Sequence, residues 1–321
     1  MLSRSNIITS AVLILSMLFS ACGPETNEPA PGRTNNSNLD IPAFRELLEY
    51  IDRSDLGNVH NEFSDFSSFG TNDYYYWNTD GEEVNYQFSL HNDKIYRVDY
   101  GFSKPGIAKK AADAMMSMLD EIEAIEEKNN LALNDATYGL GMNYESVEDI
   151  QSLDELKEML PNATSCWVEL NYQTMTIRIR FSQDREEVSE SLNVEIIKVL
   201  YTFAGTTWTG AKEESVDGGL RWRRTLTILF TNGTDGVWKE KYLLSNPSAQ
   251  EVVYSDSVSA PFEYTSFMRY DNEYICAKIV GLYNNTISIC TRPEQGILPV
   301  TLNDPYLEEV QFLLSGHLNE R

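Results

Sequence analysis

The residues of this chain whose types could do chemistry without a recognisable motif are its carboxylates. Its 321 residues carry 49 Asp+Glu against 25 Lys+Arg, with three histidines and four cysteines. Glycoside hydrolysis asks, by residue type, for little more than two carboxyl groups about 5–9.5 Å apart. A chain this acidic supplies candidate pairs by chance, and nothing in the spacing selects one. His60, His91 and His317 stand outside any motif. No Gly-x-Ser-x-Gly, no His-Glu-x-x-His and no phosphate-binding loop occurs. Thr79-Asp80-Gly81-Glu82-Glu83 gathers oxygen ligands at a turn but misses the EF-hand spacing. The sequence therefore assigns no catalytic residue, no metal and no cofactor. A net charge of −24 also argues against nucleic acid, whose phosphates need clustered Lys and Arg.

Three further groups could bind or cross-link. Cys276 and Cys290 lie on neighbouring expected strands. A two-residue Asn284-Asn285 turn would put them on opposite sheet faces, and a three-residue loop centred on Tyr283 would set them side by side. Both registers leave apolar faces, so the possible disulfide stays open, with Cys166 left over. Tyr74-Tyr75-Tyr76-Trp77 is the densest aromatic run. Alternate residues of a strand face opposite ways, so Tyr75 and Trp77 are candidate ligand contacts, with packing on both faces as the alternative. Arg221-Trp222-Arg223-Arg224 is the one basic cluster, expected to meet the acidic first half of the chain or an anionic ligand.

The positioning elements follow from hydrophobic period. Asp40 can open a helix bearing Ile41, Phe44, Leu47, Leu48 and Ile51. Val84, Tyr86, Phe88 and Leu90 alternate, as do Tyr96, Val98, Tyr100 and Phe102. A hairpin pairing Phe88 with Val98 then calls for an odd loop such as Asn92-Asp93-Lys94. Ser103 and Pro105 open a helix to about Lys128 with a seam of Ala108, Ala111, Met115, Met118, Ile122 and Ile125. Ser152-x-x-Glu155 is a capping box, and a second hairpin places Cys166, Val168 and Leu170 beside Ile177, Ile179 and Phe181. Residues 40–185 thus read as an α+β domain, helices on one face of an antiparallel sheet.

From 186 to 321 the pattern becomes mainly β. Leu192, Ile196, Val199, Leu200 and Phe203 fit one helical face stopped by Gly205. Strand runs follow at 206–210, 222–230, 237–244, 262–270, 274–283 and 286–291. Asp304-Pro305 caps an expected last helix with Leu307, Val310, Leu313, Leu314 and Leu318. A barrel-like or curled antiparallel sheet with flanking helices is expected. Residues 22–185 hold 13 basic and 30 acidic groups, and 186–321 hold 11 and 19.

Residues 1–21 carry one base, Arg4, then an apolar run from Ile7 to Phe19 and Ser20-Ala21 before Cys22. That run is too short for a bilayer-spanning helix and fits a secretory signal. With Cys22 directly after the small pair, the leader resembles that of bacterial lipoproteins. The resemblance implies cleavage before Cys22, diacylglycerol on its thiol and an acyl chain such as palmitate on its amino group. Residues 22–39 read as a flexible tether, in which Glu25 and Glu28 resemble the acidic export signals of Bacteroidetes surface lipoproteins. Phe203-Ala204-Gly205-Thr206-Thr207-Trp208-Thr209-Gly210, the meander through Tyr283–Ile287 and the last helix resemble the lipocalin-like domains of such lipoproteins. That resemblance implies Trp208 at the barrel bottom against a late-strand arginine, for which Arg292 is the candidate. Asp256-Ser257-Val258 resembles the O-glycosylation site of exported Bacteroidetes proteins, with Ser257 as acceptor. The expected protein is an outer-membrane, lipid-anchored binding protein without catalytic machinery, facing the periplasm or the cell surface. It would hold an apolar or glycan ligand or an envelope protein. A carboxylate-dependent glycan-acting enzyme and a structural or adhesion subunit are the alternatives.

Overall fold

The computed structural model describes residues 41–55, 59, 66–69, 72–79, 82–105, 110–129, 131–147, 150–270, 272–282, 285–304 and 308–321. The side chains of 66–83 and 303–309 lie outside the description, as do Cys22, the tether and His60. The fold is mainly β and holds two large antiparallel sheets.

The first sheet is built from β1 (Phe66–Phe69), β2 (Asn72–Thr79), β3 (Glu82–His91), β4 (Lys94–Pro105), β5 (Leu133–Met142), β6 (Glu145–Val147), β7 (Ser165–Tyr172), β8 (Met175–Asp184) and β9 (Ser189–Lys198). They lie in the order β1-β2-β3-β4-β9-β8-β7-β5-β6. Period-two alternation puts Tyr86, Phe88, Val98, Tyr100, Val194, Ile196, Ile179 and Val168 on one face, all buried. Helix α1 (Phe44–Leu48), helix α2 (Lys110–Asn129) and the core-facing Leu156 of helix α3 (Leu153–Met159) share that core. Met115, Met118, Leu119 and Ile122 of α2 are fully covered, at roughly 1.5–3 kcal/mol each relative to exposure. Ser152 caps α3 by accepting the Glu155 N–H at 3.2 Å. The acidic C-terminal half of α2, which opposes the helix dipole, is met from outside. Lys157 pairs with Asp120 and Glu123, and the Tyr172 hydroxyl donates to Glu126.

Three expectations change here. The hairpin does pair Phe88 with Val98, but through a two-residue turn, Asn92-Asp93, both at positive φ, and a register shift after Ser89. The shift supplies the odd residue that the loop was expected to supply. The stretch 189–198 is strand, not helix: Leu192, Val194 and Ile196 face the first core while Ile197 joins the second. Its apolar residues fit both periods, and β-branched Val194, Ile196 and Ile197, placed between β4 and β8, favour the extended form. With β9 present as a partner, β4 continues to Pro105, so α2 begins at Lys110 rather than Ser103. The first sheet therefore runs past the expected division at 185.

The second sheet is built from β11 (Thr207–Val216), β12 (Leu220–Phe230), β13 (Asp235–Asn246), β14 (Glu251–Arg269), β15 (Tyr274–Leu282), β16 (Asn285–Thr291), β17 (Ile297–Asp304) and β18 (Glu308–Ser315). Their order is β16-β15-β14-β13-β12-β11-β18-β17. The two edge strands approach where Thr291 Oγ1 donates to the Ile297 carbonyl at 2.5 Å, so the sheet is a nearly closed barrel. A short pair, β10 (Tyr201–Thr202) with β19 (Asn319–Glu320), ties the C-terminus to the barrel's start. The expected final helix is strand β18. Val310, Phe312 and Leu314 alternate inward and Leu313 points out, a period-two set that also satisfies helical spacing.

Strands β11 to β14 run beyond the barrel as a four-stranded arm. Residues 211–216, 241 and 251–259 are exposed, and β15 joins β14 only from Glu263 onward. On the arm's inner side Trp222 lies near-parallel to Tyr254, centroids 6.2 Å apart, with Tyr242 5.9 Å from Trp222. Among the described residues no helix is long and apolar enough to cross a membrane.

Candidate binding face

The barrel interior is filled by side chains. Trp208, Trp238, Phe203, Phe230, Tyr264 and Phe312 are fully buried there. Trp208 donates its indole N–H to Thr206 Oγ1 at 2.9 Å and packs on Phe203. Arg292 is not beside it. Its guanidinium lies over Tyr274 at 4.7 Å and reaches Glu273 at 3.9 Å. The two residues expected to cooperate are thus separated, and Trp208 works as core. Gly205, expected as a helix stop, is a turn residue whose N–H donates to the Phe230 carbonyl at 2.8 Å.

The arginine cluster also finds partners within its own sheet rather than in the first half of the chain. Arg221 and Arg223 reach Glu213 at 3.6 and 3.5 Å. Arg224 pairs with buried Glu240 at 2.7 Å. Glu240 further accepts from Trp238 Nε1 at 2.8 Å and from the Tyr242 hydroxyl. Burial raises its pKa, and the hydrogen bonds from Tyr242 and Trp238 with the Arg224 charge more than reverse this, so the carboxyl lies below its usual range.

Cys276 and Cys290 face each other directly and are bonded, with Cα atoms 4.1 Å apart. The cysteine rungs have the register that a loop centred on Tyr283 would give, but Leu282 pairs with Asn285, and an irregularity between Ile279 and Leu282 makes up the difference. Cys166 is buried, and burial pushes its thiol up to about 12. Ser257 is exposed on β14 beside Asp256, whose carboxylate accepts the Ser257 N–H at 2.8 Å. Tyr75 and Trp77 fall on β2 opposite Tyr86 and Val84, and their side chains lie outside the description. His91 meets Glu320 at 2.5 Å, bringing the β3–β4 turn to the C-terminal strand. No group of His, Cys, Asp and Glu that could hold a metal occurs among the described residues.

The face of the first sheet away from the helices is open only in part: at one end Asn171, Thr176 and Ile197 are buried, Ile197 in the second core. Two neighbouring cross-strand rows lie beyond that covered end. One runs Glu169, Arg178, Glu195, Asp99 and Gln87 on β7, β8, β9, β4 and β3. Its charges interlock. Arg178 donates to Glu169 at 2.8 Å and Glu195 at 3.1 Å, and Arg97 clasps Asp99 through two N–H groups at 2.7 and 2.8 Å. The next row runs Gly139, Trp167, Arg180, Asn193, Gly101 and Asn85. Trp167 is 45% exposed although it sits in the middle of a sheet. A Cβ on Gly139 would fall inside its indole, and one on Gly101 would fall inside the Asn85 amide. Glycine at these two positions therefore lets a ring and an amide lie flat against neighbouring backbone. Asn85, Asp99, Arg180, Asn193 and Glu195 line a shallow depression of about 270 Å³. Strands stand about 4.8 Å apart, so Trp167 lies roughly 10 Å from Asn193, two strands away. The face offers a flat ring, then planar polar groups in line. Sequence reading missed Trp167, although its outward place beside Cys166 and Val168 was the available signal.

No protein-family model, curated protein or solved structure matches this chain.

Proposed function

We propose that this chain is a lipid-anchored binding protein of the bacterial cell envelope, held in the outer membrane through Cys22, which binds a glycan on the open face of its first sheet. The carrying observation is the Gly139–Trp167–Arg180–Asn193–Gly101–Asn85 row, a flattened aromatic surface continuous with a line of guanidinium and amide groups, with the carboxylates of Glu195 and Asp99 in the row beside it. A sugar offers an apolar ring face and in-plane hydroxyls, and this face complements both. A short oligosaccharide would stack one ring on Trp167 and place the next in the depression. Asp99 and Glu195 are the carboxylates closest to that place, and each is engaged by arginine on a shallow, water-open surface. That arrangement favours holding over hydrolysis. The first unit is then an α+β layer, its helices covering one face while the Trp167–Asn193 part of the other is left for ligand. The second, lipocalin-like in strand count, has its interior packed with Trp208, Trp238, Phe230 and Phe312. Ser257, exposed on β14, is the proposed O-glycan acceptor.

The test is a screen of soluble oligosaccharides and capsular polysaccharides against the purified protein, followed by Trp167→Ala and Asn193→Ala. A bound glycan whose affinity falls about tenfold or more with Trp167→Ala, at unchanged circular dichroism, supports the reading; that loss corresponds to about 1.4 kcal/mol. Binding that ignores both substitutions, or no glycan bound at all, overturns it.

A further inference from the structure

The arm of the second sheet has two free edges of different chemistry. On β11 the edge beyond the barrel runs Ala211-Lys212-Glu213-Glu214-Ser215, three charges in five residues. Charge is how sheets protect a bare edge from pairing with another chain. On β14 the overhang is Val252-Val253-Tyr254-Ser255-Asp256-Ser257-Val258-Ser259-Ala260, with one charge in nine residues. β14 pairs with β13 along this length, and among the described residues its other side carries no ladder before Glu263. Residues 251–259 are all exposed, with Val252 59% and Val253 51% accessible. At about 3.4 Å per residue the bare edge is roughly 30 Å long.

Charge also says what can approach it. The chain carries −24 overall, so two copies repel at most orientations. The arm does not share that charge: residues 211–224 and 239–260 hold six basic and six acidic side chains. We propose that a second copy of this chain pairs with β14, edge to edge and antiparallel about a two-fold axis, joining two four-stranded arms into one continuous eight-stranded sheet. The interface is isologous: the same strand serves on both sides. Antiparallel pairing across a two-fold axis normal to the sheet keeps each residue opposite one on its own face. The neutral, β-branched edge then meets its own like, while the charged β11 edge stays outside. This proposal stands independently of the glycan face.

Sedimentation velocity of the purified full chain over a concentration series tests it, with the double substitution Ser255→Lys/Ser259→Lys on the β14 edge and Ser215→Lys on the β11 edge as control. All three positions are exposed, so folding should survive, which thermal melting checks. A concentration-dependent dimer is expected, weakened about tenfold or more by the β14 lysines, which bring like charges together across the axis, and unchanged by Ser215→Lys. A monomer at every concentration overturns the proposal. So does a dimer that the β14 lysines leave intact.

Discussion

Glu240→Gln should destabilise the protein by about 2–4 kcal/mol at neutral pH. Glu240 is 1% exposed and takes hydrogen bonds from Trp238, Tyr242 and Arg224, the last through Nε at 2.9 Å and Nη2 at 2.7 Å. Removing one partner of a buried ion pair costs about 3–5 kcal/mol, because the other charge stays behind uncompensated. Arg224 retains 13% side-chain exposure and lies over the Tyr242 and Phe312 rings at 5.3 and 5.5 Å, which takes part of that penalty away. The pH dependence gives the sharper test. The folded-state carboxyl titrates below its unfolded value of about 4.5. Its contribution is therefore complete above that value and is lost as pH falls through the folded pKa. Urea unfolding followed by near-ultraviolet circular dichroism should show a wide gap between wild type and Glu240→Gln at pH 7, narrowing steadily below pH about 4.5. Arg224→Met with Glu240→Leu should recover only part of the loss, since the apolar pair strands no charge but leaves the Trp238 indole N–H and the Tyr242 hydroxyl without their acceptor. A Gln variant within about 0.5 kcal/mol of wild type at pH 7, or a gap that stays constant in acid, would refute this account of the cluster.

Replacing Cys276 and Cys290 by alanine reopens a loop with a separation of 14 residues, and chain entropy puts the cost at about 3 kcal/mol, readable as a lower urea midpoint. Cys166 should resist thiol reagents in the native protein and react in denaturant; apart from Cys22, one thiol should label before reduction and three after. Gly139→Val should lift the Trp167 ring and weaken glycan binding about as much as Trp167→Ala, measured by the same titration. Cys22→Ser should move the protein from the membrane to the soluble fraction, and retention in the membrane with unchanged electrophoretic mobility would count against the lipid anchor.

Much of the strand content was legible because one dry face imposes period two. The Phe88–Val98 pairing and the hairpin of Val168 and Ile179 follow from alternation, and the α2 seam from helical 3-4 spacing. The two misread helices share a cause. Residues 192–203 and 307–318 each hold enough apolar groups to satisfy a period of 3.6 as well as 2, and local spacing cannot arbitrate. What decides is the neighbour: β9 completes the ladder between β4 and β8, and β18 lies between β11 and β17. Long-range partners of that kind leave no mark within a short window. The same gap hid the disulfide register, because a loop centred on Tyr283 and a tighter turn both give apolar faces until the ladder is seen.

The binding face shows where such reading stops. Trp167 announces itself, since an alternating strand with Cys166 and Val168 inside must point it outward, and a tryptophan is a large apolar group to leave in water. Its significance depends on Gly139 and Asn193, which lie far from it in sequence and beside it or two strands away in space. Gly139 belongs to β5, a strand whose polar, glycine-containing sequence gave no period to detect. Without β5 the indole has nothing to lie flat against, and an exposed tryptophan reads as a surface accident. With it, the ring is held in one orientation by backbone that carries no side chain, and a fixed ring loses less entropy on binding than a mobile one. The glycine is therefore the residue that turns an exposed aromatic into a platform.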